Sequence, residues 1–211
     1  MIQLIDISLK VGDTIPIWPN MPAPKIGKLK DILNGDEVTN SCLYTDIHCG
    51  THIDAPAHHI PNGKLVEDIQ LQLCTGKVFV IEITDDVINK EIINTYKNVF
   101  CEYKKVLFKT KNSTLLNNKF DENYVAFDMS GADEISKYNM ELLGIDYLSI
   151  QKFGKEYNTV HKILLEKDIV LLEGLDLRNV ESGEYELYAF PINISNSEGA
   201  PVRAVLKRES E

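Results

Sequence analysis

The 211-residue sequence predicts a mixed α/β domain, on three observations. Short β-branched runs alternate with helical periods through the middle of the chain. Further strand-like runs crowd its two ends. No repeat, low-complexity segment or linker interrupts it, and this length can bury one sizeable core.

In chain order, Gln3–Leu9 alternates apolar with polar residues and carries charge, so it reads as a first strand rather than a signal peptide. Pro16–Pro24 (PIWPNMPAP) cannot sustain a ladder, because prolines fix φ and remove donors. It is expected as a surface loop or arm, and it holds the only tryptophan, Trp18. Apolar runs at Lys77–Ile83, Lys105–Lys109, Val125–Met129, Asp146–Ile150 and Asp168–Leu172 predict strands. Helical periods cover Asp86–Tyr96, Ala132–Leu143 and Thr159–Glu166, the second following the cap-like pair Ser130-Gly131. Tyr185–Ile194 and Pro201–Lys207 predict two closing strands.

Composition narrows the partners. Hydrophobic residues make up 44% and charged residues 26%, as in a soluble globular protein. With 22 basic against 32 acidic side chains the formal charge is −10, which argues against nucleic acid and anionic membranes, since both require a positive footprint. No apolar run approaches the ~20 residues that span a bilayer. Cys42, Cys49, Cys74 and Cys101 form no CxxC pair, so reduced thiols in a cytoplasmic protein are expected.

One stretch stands apart. His48 to His59 reads HCGTHIDAPAHH and contains four of the five histidines, with Asp54 among them. A lone histidine usually satisfies one hydrogen bond; this density, with Gly50 and Pro56 at structural points, points to a metal. Imidazole and carboxylate together suit zinc, manganese or iron. A helix is excluded for the ligands, because Asp54 lies about 200° beyond His52 around a helix axis. A straight strand fails on length, since six residues span roughly 20 Å. The chain must therefore bend, and Gly50 permits it. The expected arrangement is a strand ending at His48, a turn at Cys49-Gly50-Thr51, and His48, His52 and Asp54 brought together around one divalent ion. His58 lies beyond the small, stiff run Ala55-Pro56-Ala57 and is expected beside the ion as a proton shuttle. His59 is given no role.

At these residues the chain resembles the cyclase family of metal-dependent hydrolases, whose best-known members are bacterial kynurenine formamidases. HCGTHIDAPAH fits the pattern His-x-Gly-Thr-His-x-Asp-x-Pro-x-His. Support continues in Val160–Leu165, in IVLLEGLDL from Ile169, at Pro191, and in GAPVRAVL from Gly199. The resemblance implies one swivelling β/β/α domain over 1–211, assembled as a homodimer or larger oligomer. It implies a first ion on His48, His52 and Asp54, and a second on Asp54, His161 and Glu173. Zinc is the first expectation, with manganese or iron as alternatives and one or two ions per subunit. By the same resemblance His58 is the catalytic acid/base and Trp18 lines the substrate pocket. Glu173 closes the apolar run IVLL, where a carboxylate is costly without a cation or donors. In many family members the strand at Tyr147-Leu148-Ser149-Ile150 closes with aspartate; here it closes with Gln151, which removes a charge from the surroundings of the second ion.

The expected chemistry is hydrolysis of a small amide by metal-bound hydroxide, with His58 protonating the departing nitrogen. N-formylkynurenine, cleaved to kynurenine and formate, is the leading substrate, and a cyclic amide such as isatin, or another small amide or ester, is the rival. A non-catalytic metal-binding or regulatory homologue is the alternative from a different class; retention of His58 speaks against it.

Overall fold

The computed structural model describes residues 2–12, 14–117, 119–154 and 159–209. Among the described residues eleven strands are formed: β1 (Ile2–Asp6), β2 (Lys25–Lys30), β3 (Asn40–Tyr44), β4 (His52–Asp54), β5 (Thr75–Glu82), β6 (Lys105–Lys109), β7 (Leu142–Ile145), β8 (Val170–Glu173), β9 (Gly183–Tyr188), β10 (Gly199–Pro201) and β11 (Val205–Glu209). Four α-helices accompany them among the described residues: α1 (Lys90–Thr95), α2 (Lys97–Glu102), α3 (Met129–Ile135) and α4 (Thr159–Leu165). Nine strands form one mixed sheet in the order β1-β11-β9-β5-β6-β7-β8-β4-β10, while β2 and β3 form a separate hairpin. β5 to β8 run parallel to their neighbours and the flanking pairs are antiparallel. Only three residues separate β10 from β11, although β10 closes that order and β11 stands second from its other end. So short a link reaches little more than 10 Å. The sheet must curl until its ends approach.

The parallel strands are apolar on both faces, as strands covered on both sides must be. Val106 and Phe108 point into one core with Leu143, Ile145 and the helix residues Ile135 and Leu164. Leu107 points into the other with Val80, Leu172 and Ile53. Alternate residues thus serve two cores.

Several elements differ from the sequence expectation. The helix predicted to reach Leu143 stops at Ile135, and Leu142–Ile145 becomes β7 instead. Those residues pair with Lys105–Phe108 on one side and Val170–Leu172 on the other. A slot in a buried sheet outweighs a local helical period. Asp146–Ile150, expected as a strand, is the buried segment that follows β7. Val125–Met129 forms no ladder beyond single bridges at Phe127, and Asp128 instead caps α3 by accepting from the Gly131 N–H at 2.8 Å. The predicted strand Pro201–Lys207 is divided between β10 and β11. The hairpin β2–β3 and helix α2 had no counterpart among the expected elements. Among the described residues no helix is long and apolar enough to cross a membrane.

Candidate metal centre

The strand before the histidine motif ends at Tyr44, not at His48; His48 itself sits in the turn that leads into β4. The bend does fall where glycine allows it: Gly50 has φ +72°. Gly174, just past β8 with φ +69°, lies against it so closely that a Cβ there would meet the Gly50 carbonyl oxygen at 2.0 Å. Thr51 fastens the crossing. Its hydroxyl donates to the Gly174 carbonyl at 2.6 Å and accepts from the Leu9 N–H at 2.8 Å. Gly-Thr-His is therefore a backbone crossing before it is a ligand motif.

The crossing sets β4 against β8 with His52 directly opposite Glu173. Residues two apart share a strand face, so His52 and Asp54 project together while Ile53 enters the core behind them. His52 Nδ1 lies 2.9 Å from the Gly50 carbonyl, which makes Nδ1 the protonated nitrogen and leaves Nε2 with a free lone pair. That Nε2 is 3.5 Å from Asp54 Oδ1 and 3.5 Å from Glu173 Oε2. His48 Nδ1 is 2.8 Å from Asp54 Oδ1. From the buried face of α4, His161 Nε2 reaches Glu173 Oε1 at 3.2 Å and Asp54 Oδ2 at 3.4 Å. Asp54, Glu173, His52 and His161 are buried, and His48 is partly open.

This donor set fits a divalent cation. Two buried carboxylates face one another among imidazoles, and Asp54 Oδ2, His48 Nε2 and His161 Nδ1 make no hydrogen bond despite full burial. Buried polar atoms of this kind are rarely left without a partner. Ligand atoms lie within 4.8 Å of one another in three sets: His52, Asp54 and Glu173; His48, Asp54 and His58; His58, His59 and His161. The grouping divides the residues differently from the sequence expectation, with His52 beside Glu173 and His48 beside His58.

Charge within the cluster is mutually dependent. Burial opposes a charge on His48, but the hydrogen bond and charge of Asp54, with Glu173 and Asp46, raise it to about 9. His161 is raised to about 9 against a similar burial penalty by Asp54 and Glu173. Asp54 is held below the usual carboxylate range: the adjacent His161 imidazole and the hydrogen-bonded His48 overcome burial. Glu173 is lowered too, its His161 and His52 partners prevailing over burial and the charge of Asp54. His58 moves the other way. Burial, reinforced by the cationic tendency of His48 and His161, lowers it, so it is neutral at pH 7.

His58 ends a short 3₁₀ turn that opens with Pro56. Its ring centre is 4.0 Å from that of His48 and 5.8 Å from that of His161. A cavity of about 260 Å³ opens over the cluster, lined by His48, His52, His58, His161 and Glu173 on one side and by Trp18, Met21 and Leu148 on the other. Trp18 is held edge-on by Phe120 at 5.1 Å and Phe153 at 5.4 Å. Neither phenylalanine carries a sequence signal for this role.

Three further residues enter the site. His59 stacks on His161, with ring centres 4.4 Å apart and planes 10° from parallel. The Ile150 N–H donates to Glu173 Oε1 at 2.7 Å. Gln151, noted in the sequence as a lost charge, uses Oε1 to accept the His161 N–H at 3.2 Å. A neutral acceptor thus meets the backbone demand that an aspartate could also meet, and the negative charge is what differs.

Comparison with known proteins agrees with this architecture. The model of a family described as putative cyclase matches residues 5–152. A "Cyclase-like protein 3" of Oryza sativa subsp. japonica is 29% identical, with 97% of this chain and 79% of the rice protein covered. A "Kynurenine formamidase" of Geobacillus thermodenitrificans is 30% identical over 97% of each chain. A solved structure described as a potential metal-dependent hydrolase with cyclase activity superposes with a TM-score of 0.85 at 28% identity, covering 100% of both chains.

Proposed function

This chain belongs to the putative cyclase family, and from that premise we propose that it is a metal-dependent amidohydrolase that releases formate from an aryl formamide, N-formylkynurenine first. The observation that carries the reading is the buried pair Asp54 and Glu173, enclosed by three imidazoles, with Asp54 Oδ2 accepting no hydrogen bond. Such a cluster is stable only around positive charge.

His48, His52 and Asp54 would hold one divalent ion, and Asp54, His161 and Glu173 a second; zinc is the first choice, with manganese or iron as alternatives. When bound, the ion supplies Lewis acidity, easing deprotonation of water and polarising the carbonyl. The remaining steps fall to the chain. His52 presents Nε2 to the centre because Gly50 fixes its other nitrogen. His58, neutral and at the cavity wall, takes the proton lost by the attacking water and delivers it to the nitrogen as the C–N bond breaks. Without that delivery the nitrogen would leave as an anion. Trp18, braced by Phe120 and Phe153, offers an aromatic plate beside the cluster, suited to a planar ring bearing the amide.

The whole of 1–211 is read as one catalytic domain, working in the cytoplasm as a homo-oligomer without nucleic acid or membrane partners. The test is formate release from N-formylkynurenine by metal-reconstituted protein, with isatin run in parallel. Turnover of the formamide supports the proposal. Turnover of isatin alone would transfer the assignment to cyclic amides. Inactivity on both, with metal bound at the site, would favour a non-catalytic homologue.

A further inference from the structure

The cavity over the cluster is lined by two acidic side chains, Glu173 and Asp46, and only Glu173 belongs to the buried pair. Asp46 is half-buried, in the segment that leads from β3 into β4. Its Oδ1 accepts the His48 N–H at 2.8 Å, and its carbonyl oxygen accepts the Cys49 N–H at 3.3 Å. A local turn of this kind fixes the side chain through one oxygen. Oδ2 has no hydrogen-bond partner among the described residues. It remains for a ligand.

Beside Asp46 the cavity runs into a niche of about 10 Å³, walled by Ile17, Trp18, Met21, Pro22 and Leu148. That is roughly the room one water-sized group requires. Its walls are largely apolar, so a charge pair formed there is screened less than one in open water. Trp18 adds an indole, which attracts a cation to its ring face. Among the described residues that line the cavity and the niche there is no lysine or arginine. Lys152, next to the cavity residue Gln151, turns instead to the carbonyl oxygens of Glu122 and Tyr124. The formal charge of −10 on the whole chain acts in the same direction. A cation is drawn to this mouth, and an anion finds no side chain to receive it.

We propose, on the amidohydrolase reading above, that Asp46 sets specificity by binding an ammonium group of the substrate. The preferred substrates are then aryl formamides whose side chain is cationic and carries no acid. Trp18 borders both the cavity and the niche, so a ring beside it can present the amide to the cluster and a short side chain to Asp46. N-formylkynurenine meets half of this demand. Its ammonium suits Asp46, while its carboxylate has no cationic side chain to meet.

The test uses three ortho-acyl formanilides that differ only where the acyl chain ends: in ammonium, methyl or carboxylate. On metal-reconstituted protein, kcat/KM for the ammonium compound is expected to exceed that for the methyl compound by ~10-fold, the scale of one charge-assisted contact, with the carboxylate compound below both. Calorimetric Kd values for the matching ortho-acyl anilines, which have no formyl group to lose, should follow the same order. Asp46→Asn keeps an oxygen for the His48 N–H and should bring the ammonium-to-methyl ratio close to one in both measurements. The ratio cancels any change passed through His48, since that acts on both compounds alike. Equal binding of the three ends overturns the proposal, as does tighter binding of the carboxylate or an ammonium preference that survives Asp46→Asn. If formate is still released in those cases, the reaction assigned above stands without the Asp46 site. Ordered binding that Asp46→Asn levels, with no formate released, upholds the site and removes the reaction. Failure of every compound to bind overturns both.

Discussion

Two buried carboxylate clusters stand at the carboxyl ends of neighbouring parallel strands, and they are solved in opposite ways. Asp146, directly after β7, has no exposed surface and accepts from four donors: the N–H and hydroxyl of Thr110 at 2.7 and 2.8 Å, and the N–H and hydroxyl of Ser113 at 3.0 and 2.6 Å. Burial still lifts it to about 6 against those donors, but every one of its contacts lies within the protein. Glu173, at the end of β8, shares its space with Asp54, a like charge. Around them stand imidazoles with orphaned nitrogens and a carboxylate oxygen without a donor. Asp146 ties a loop to a sheet. Asp54 and Glu173 leave a demand that the chain does not meet, and that demand is what identifies a site for a cation.

The comparison can be broken or sharpened by experiment. The largest effect is expected at His58, which belongs to the second cluster without carrying its negative charge. His58→Ala should lower turnover ~10²–10⁴-fold while metal content, measured by elemental analysis, stays at the wild-type level. Undiminished turnover would remove the acid/base role.

Next comes Asp146→Ala, which strands four donors, all in buried contacts of Thr110 and Ser113. Chemical denaturation should show a loss of ~3–5 kcal/mol, comparable to breaking a buried ionic contact. The fraction that remains folded should still bind metal. A variant that stays fully stable but loses its metal would erase the distinction between the clusters.

Metal itself should discriminate them. Ion in hundredfold excess over its Kd stabilises the fold by ~2.7 kcal/mol. Asp54→Asn should abolish that gain in a thermal melt, whereas Asp146→Asn should keep it from whatever baseline it has. The metal-free protein should also show a pH signature. His48 and His161 are raised in the folded state from 6.5 to about 9, so the stability they contribute is complete below pH 6.5 and is lost as pH rises through 9. Metal ligation requires neutral imidazole, so loading the site should flatten that decline. A metal-free melt that is level from pH 6.5 to 9 would contradict the arrangement. The smallest effect is expected from Trp18→Ala: KM for an aryl formamide several-fold higher, with kcat little changed, matching the ~0.5–1.5 kcal/mol of an aromatic contact.

Much of the site was legible in twelve residues, because its ligands are local. Gly50 had to bend the chain for His48, His52 and Asp54 to meet, and the bend occurs there. His161 and Glu173 entered only through resemblance, since nothing near them in sequence shows what faces them. Phe120, Phe153 and His59 gave no signal: an aromatic or imidazole ring becomes part of a pocket only when a distant segment is packed against it. Fold elements divide along the same line. Lys105–Lys109, a short apolar run between lysines, is found at the expected bounds. Leu142–Ile145 has a helical period and becomes a strand because a central place in the sheet was open to it.

By itself, then, the sequence determined the alternation of strands and helices, the acid excess, and the turn that gathers one histidine pair with Asp54. Only the tertiary structure decided which histidine faces which carboxylate and where β7 begins. The physical reason is range: φ preferences and side-chain spacing act over a few residues, whereas His52 meets Glu173 through a ladder that joins segments more than a hundred positions apart.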